Sequence, residues 1–314
     1  MGSPAPVSTR TAWLLLGCMI LFLGVNWPVM KYGLQFIPPL HFAAARMALG
    51  GLCIGLFAAA RGALHRPTRQ DMPLVLGVGL LQMAAFLSLI TIAVQFVPAG
   101  RSAILAYTTS LWVVPLAATF LGERLSRFKA LGLLLGLGGV AILFNPGGFD
   151  WSDPKVLLGN GLLLLAAFIW AVLIVLVRGY HGRSSPLSLG LWQFALATAV
   201  LVPLALLVED SGRVQWGTPL GLILLYNGPV ATAFCYWAML TATQALPAIT
   251  TSLASLGVPV LGMLSAAVAL GERITLTNSL GLCLILCGVA IVSIVDLRGR
   301  RTATVQTGAP DRGE

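Results

Sequence analysis

The sequence predicts an all-α integral membrane protein of ten transmembrane helices, arranged as two inverted five-helix repeats. Three observations carry that prediction. Only 9% of the 314 residues are charged while 58% are hydrophobic, against about 25% charged in an ordinary soluble domain. Uncharged stretches of span length recur along the whole chain. The second half also echoes the first at a constant offset. A mean hydropathy of +0.92 leaves too little polar surface to cover a water-soluble body, and the same shortage excludes intrinsic disorder.

The elements follow from the charge-free runs 11–30, 72–100, 102–122, 130–149, 156–177, 184–208, 214–271 and 274–295. A helix needs about 20 residues to cross a hydrocarbon core, so most runs supply one span each. The long run 214–271 is divided at Leu246-Pro247, and the stretch from Pro39 to Ala60, interrupted only by Arg46, adds a further span. Ten helices result: 12–33, 39–60, 73–95, 98–121, 128–144, 155–177, 187–208, 217–243, 247–270 and 277–296. A β-barrel is excluded, because its strands are half that length and alternate in polarity. The first apolar run is too long for the core of a signal peptide and is read as the first helix.

Orientation comes from the basic residues. The amino-terminus, the even-numbered loops and the carboxy-terminus hold 13 of the 19 Lys and Arg, among them Arg10, Arg61, Arg66, Arg69, Arg124, Arg127, Lys129, Arg178, Arg183, Arg298, Arg300 and Arg301. Basic loops stay cytoplasmic, which places both termini in the cytoplasm. The net charge of +9 is thus a topology signal and an attraction to anionic lipid, and nucleic acid is not an expected partner. The expected division is a cytoplasmic segment 1–11, repeats at 12–146 and 147–296, and a flexible tail at 297–314.

An offset of 149 residues superposes Pro98-Ala99 on Pro247-Ala248, Leu121-Gly122-Glu123-Arg124 on Leu270-Gly271-Glu272-Arg273, and Gly139-Val140-Ala141-Ile142 on Gly288-Val289-Ala290-Ile291. Over Pro98–Ile142, 17 of 45 positions are identical. Upstream, Gly79 falls on Gly228, and an offset of 147 pairs Arg46 with Gln193. Five helices per half is an odd number, so the halves enter the membrane from opposite sides. Such inverted repeats let one packing be adopted by either half, the basis of alternating access.

These residues resemble a known family. Two five-helix halves, each with Pro early in its fourth helix, Leu-Gly-Glu-Arg at that helix's end and a Gly-rich fifth helix, are similar to the EamA-type branch of the drug/metabolite transporter superfamily, and in spacing to the bacterial amino-acid exporters of the YddG type. The resemblance spans about residues 12–296. It implies an exporter of amino acids or related small metabolites; lipophilic-drug or nucleotide-sugar transport on the same fold is the alternative.

Candidate functional residues are those whose chemistry is costly in lipid. Asn26, Trp27, Gln82, Phe86, Tyr107, Trp170, Tyr226 and Asn227 put amides, a hydroxyl pair and aromatic rings at mid-span, where polar groups need partners or a ligand; they are the expected substrate-binding set. Lys31 and Arg46 are the intramembrane cations, each read either as a snorkelling anchor or as a functional charge. Glu123 and Glu272 end helices four and nine, either as helix-terminating turns whose carboxylates favour the next helix's N-terminus or as gate contacts. Pro28, Pro115 and Pro259 remove helix bonds and free the carbonyls of Gly24, Leu111 and Ser255, which marks them as hinges. Gly132 and Gly136 permit close helix contact, within a monomer or across a homodimer. The five cysteines all fall in spans, Cys283 and Cys287 as small packing residues. No cofactor is implied, no ligand trio has metal spacing, and no nucleophile–base pair suggests an enzyme.

Overall fold

The computed structural model describes residues 8–122, 126–144, 153–177, 184, 186–246, 251 and 254–306. Every regular element among them is helical. The long rods are α1 (Thr9–Gly33), α2 (Pro39–Ala60), α3 (Met72–Val94), α4 (Ala99–Phe120), α5 (Arg127–Phe144), α6 (Pro154–Val177), α7 (Pro186–Val208), α8 (Thr218–Ala245), α9 (Gly257–Leu270) and α10 (Leu276–Gln306). A 3₁₀ turn, Ser211–Arg213, sits between α7 and α8. Among the described residues, eight helices are long and apolar enough to cross a membrane; α5 with 18 residues and α9 with 14 stand beside them. The chain is a multi-pass membrane protein. The expected tail is helical at its start, because α10 continues to Gln306.

The helix ends follow elementary capping. Pro39 opens α2 and Pro73 sits in the first turn of α3, where a missing N–H costs nothing. The Ser8 hydroxyl accepts from Thr11 N–H at the start of α1, Asp153 from Lys155 N–H at α6, and Thr275 from Asn278 N–H at α10. Gly122 and Gly271, at equivalent repeat positions, both adopt left-handed backbone (φ 65° and 68°) and end α4 and α9 as a Cβ-bearing residue would not do cheaply. Before α3, Asp71 accepts from the Thr68 hydroxyl and N–H and from the Ser184 hydroxyl and N–H. The Thr68 and then the Ser184 bonds hold its carboxyl well below the usual carboxylate range.

Equivalent helices of the two halves pack on one another: α2 on α7, α5 on α10, and the first part of α4 on α9. Cross-pairs also come in twos, since α1 packs on α9 as α6 packs on α4, and α2 packs on α8 as α7 packs on α3. At residue level the contacts are reciprocal. A Cβ on Gly132 would lie 2.7 Å from the Gly288 carbonyl, and one on Gly139 would lie 2.7 Å from the Gly281 carbonyl; residues 132 and 281, like 139 and 288, are 149 apart. Gly228 abuts Leu49 and Gly79 abuts Leu196 in the same way. The Gly132–Gly136 pair therefore serves contacts within the chain, Gly132 on α10 and Gly136 on Leu111 of α4. Cys283 and Cys287, expected to pack, are exposed on α10 instead.

Four interruptions shape the interior. α3 is π-helical over Gly77–Phe86 and α8 over Tyr226–Phe234, starting points again 149 residues apart. α4 breaks at Tyr107-Thr108, and the chain turns at Leu256 just before α9, the same repeat position. π-helical turns and mid-helix breaks concentrate at functional sites.

The α5–α10 seam yields a clean test. A methyl on Gly288 would strike the Gly132 carbonyl and the Gly136 backbone, whereas Gly138 has open space around it. Gly288→Ala is expected to lower stability by about 1–3 kcal/mol through overpacking, and Gly138→Ala to be neutral or slightly stabilising. Thermal unfolding of the detergent-purified protein distinguishes them; equal midpoints for the two variants would contradict the seam.

Candidate functional site

Four of the eight expected binding residues meet in one apolar cluster between the halves. Trp27 and Phe86 are buried members of it, with Tyr107 and Trp170 packed against it. Phe86 and Trp170 stack edge to face with ring centroids 4.6 Å apart. Trp27 lies over Gly262 of α9, where a Cβ would come within 3.1 Å of the indole. Tyr107 is the residue at which α4 breaks. These rings therefore line the place where α1, α3, α4 and α6 converge.

The polar four take other positions. The Tyr226 hydroxyl donates to the Phe22 carbonyl at 2.8 Å and ties α8 to α1. The Asn227 amide donates to Ile223 of its own helix. Gln82 is half-buried on the π-helical stretch of α3. Asn26 is buried, and its Oδ1, like those of Asn227 and of Asn160, is enclosed without a hydrogen-bond partner among the described residues. Asn160, buried on α6 with its amide on Val156, was not among the expected set.

The prolines can be checked against the carbonyls they free. Pro28 leaves the Gly24 carbonyl without its helix donor, and the Ser265 hydroxyl of α9 donates to it at 3.2 Å. Pro115 lies inside Thr109–Phe120, beyond the break at Tyr107-Thr108, and Pro259 lies in the first turn of α9. A first-turn N–H has no intrahelical acceptor, so Pro259 suits a helix that restarts at Gly257.

Lys31, Glu272 and Glu209 each act on a helix end. Lys31 Nζ donates to the Val94 carbonyl at 3.1 Å and the Val97 carbonyl at 2.6 Å, at the negative end of the α3 dipole. Glu272 accepts from Ala99 N–H at 2.6 Å and Gly100 N–H at 3.0 Å. It does sit at a helix N-terminus, but that of α4 rather than of the next helix, α10. The α3–α4 turn is thereby held from two sides, by a cation at the end of α3 and a carboxylate at the start of α4. Glu209 does the same for α2, accepting from Leu40 N–H and His41 N–H while the His41 ring bonds its Oε2 at 2.8 Å. Glu123 lies outside the described residues. A cavity of about 350 Å³ opens beside the Glu272 clamp, lined by Arg101, Arg273, Thr277 and Asn278 among others; none of the eight expected residues borders it. Arg46 is buried, with Nε donating to the Thr232 hydroxyl at 2.6 Å.

The described residues form an all-helical bundle with paired, interrupted helices and aromatic residues near the interruptions. The chain belongs to the EamA-like transporter family, whose model matches residues 10–145 and again 157–294. The family implies a small-molecule substrate. The chain is 29% identical to a "Probable amino-acid metabolite efflux pump" of Escherichia coli (strain K12), over 91% of this chain and 96% of that one. It is 26% identical to the "Uncharacterized transporter YoaV" of Bacillus subtilis (strain 168), with 86% and 92% covered. A solved crystal structure superposes with a TM-score of 0.63 at 24% identity, covering 93% of this chain and 99% of the other, which speaks to the fold.

The Glu272 clamp is open to direct test. Glu272→Gln keeps one of the two backbone acceptors and Glu272→Ala keeps neither. A graded loss is expected, with the Ala variant down by about 1–2 kcal/mol and the Gln variant between it and the wild type. Equal stability of all three in detergent unfolding would remove the clamp from the account.

Proposed function

We propose that this chain is an alternating-access exporter of amino acids or related small metabolites, built as ten transmembrane helices in two inverted five-helix repeats. The observation that carries the reading is the matched pair of interruptions, π-helical starts at Gly77 and Tyr226 and breaks at Tyr107 and Leu256. Equivalent weak points in both halves are what a two-state exchange between them requires. The reciprocal glycine contacts and the double match of one family model to the two halves support the repeat.

In this reading the chain lies in the bacterial inner membrane with both termini in the cytoplasm. The α3–α4 and α9–α10 turns then face outward, and the Lys31 and Glu272 contacts on the α3–α4 turn form the outer gate. Glu123 is its equivalent at the cytoplasmic side by sequence, and Pro28, Pro115 and Pro259 flex beside the breaks. Asn26, Trp27, Gln82, Phe86, Tyr107, Trp170, Tyr226 and Asn227 surround the substrate's path. Amino acids are favoured as cargo because relatives of similar length are named for amino-acid efflux.

The direction of transport is set by the substrate gradient. Ion-driven carriers place a titratable or ion-ligating carboxylate in the membrane interior, and every Asp and Glu of this chain falls at a span end or beyond. Vesicles reconstituted with the protein and preloaded with the twenty protein amino acids are expected to show counterflow of at least one labelled amino acid. With substrate equal on both sides, an imposed pH or sodium gradient is expected to drive no accumulation. Absence of any counterflow would overturn the cargo, and uphill uptake under either gradient would overturn the uncoupled mechanism.

A further inference from the structure

Arg46 stands apart from every other charge described above. Lys31, Glu272, Glu209 and Asp71 each satisfy backbone groups at helix ends or turns. Arg46 sits two turns inside α2, 94% buried by its relative exposure of 6%. Among the described residues its single hydrogen bond runs from Nε to the Thr232 hydroxyl, on the π-helical stretch of α8. That bond fixes the plane of the guanidinium and leaves the terminal fork of Nη1 and Nη2 uncommitted. Among the described residues, the ionisable groups that act on Arg46 are Cys235 and Tyr226 of α8. None of these is a carboxylate. Glu209, which reaches α2, already binds that helix's first turn and the His41 ring.

The repeat supplies an internal control. Position 193 of α7 is the counterpart of Arg46 and carries a neutral glutamine. Both ends of Gln193 are used: its amide donates to the Leu74 carbonyl and its oxygen accepts from the Tyr236 hydroxyl at 3.0 Å. The packing of α7 against α3 is thus achieved without a cation. A buried guanidinium in the other half is not needed for the fold, and in a low-dielectric interior it calls for an anion. Its uncommitted fork matches a carboxylate bidentately.

We infer that Arg46, oriented by Thr232, is the carboxylate anchor of the substrate site. This inference rests on the exporter reading and narrows it to the chemistry of one contact. The anchor acts on bound substrate only and needs no proton to move, because the guanidinium keeps its charge.

The test compares L-phenylalanine and L-leucine with their amides, L-phenylalaninamide and L-leucinamide, by binding to the full-length protein in detergent. The wild type is expected to bind each acid about ten- to a hundredfold more tightly than its amide, the range carried by hydrogen bonds to a charged group. Arg46→Gln is expected to erase that preference, Arg46→Lys to keep part of it as a point charge, and Thr232→Val to weaken the acids while leaving the amides unchanged. A merely structural Arg46 would alter stability and affect acid and amide alike. Equal binding of acid and amide by the wild type, or a preference that survives in Arg46→Gln, overturns the anchor. So does failure of the wild type to bind any of the four. Counterflow of another amino acid would in that case leave the exporter reading standing, whereas loss of all counterflow would remove both. Should Arg46→Gln fail to fold, Thr232→Val decides, since unchanged acid binding there contradicts the inference.

Discussion

In hydrocarbon, a backbone N–H or C=O that leaves its helix must find its partner inside the protein. The architecture depends on that constraint. Side chains of one helix reach the backbone of another at prolines and helix ends, and three of the four contacts that follow join the two halves. Ser265 supplies the donor that Pro28 withholds from Gly24, Tyr226 reaches the Phe22 carbonyl, Lys31 covers the end of α3, and Glu272 covers the start of α4. Each contact joins residues far apart in sequence. Three of the polar groups that look like isolated functional candidates along the chain, Tyr226, Lys31 and Glu272, bond the backbone of another helix.

This explains what could be read from the sequence and what could not. Span positions were legible because hydrophobic length and proline placement are local: α2 runs from Pro39 to Ala60 as the composition dictates, and α3 and α4 differ from expectation by a residue at either end. The family and the 149-residue offset were equally legible, since Gly-Glu-Arg is a rare string in so apolar a chain. The break at Tyr107-Thr108 was not. Neither residue is Gly or Pro, and the nearby Pro115 points to the wrong turn of the helix. The break is paid for by packing with α1, α6 and α9, which no local pattern records. Glu272 illustrates the same limit. The helix end at Leu-Gly-Glu-Arg was apparent, but the carboxylate's partner lies 173 residues upstream. For Gly132, sequence left open whether the close contact was with a second molecule, and only the reciprocal Gly288 contact answers it.

The site itself was legible by residue type and less so by role. Trp27, Phe86, Tyr107 and Trp170 form a common cluster, while Asn227 turns back on its own helix and Tyr226 serves a carbonyl. Thr232 and Ser265 were missed because a hydroxyl in a membrane helix ordinarily bonds its own backbone, as Thr91 and Ser88 do here. The asymmetry between Arg46 and Gln193 is more informative than either residue alone. A near-symmetric scaffold that carries a charge on one side only has a feature the scaffold does not require.

The central claim is that the two halves exchange equivalent conformations about their paired interruptions. Distances between spin labels test it most directly, with the native cysteines replaced and labels placed at exposed helix ends. One pair, at Tyr32 and Ile274, reports the end of the molecule carrying the Glu272 clamp; the other, at Arg61 and Arg127, reports the opposite end. In membranes the account predicts two populations, in which a longer separation at one end goes with a shorter separation at the other, and a saturating amino-acid cargo that shifts their ratio. A single unchanging distance at both ends, with transport intact, would contradict it.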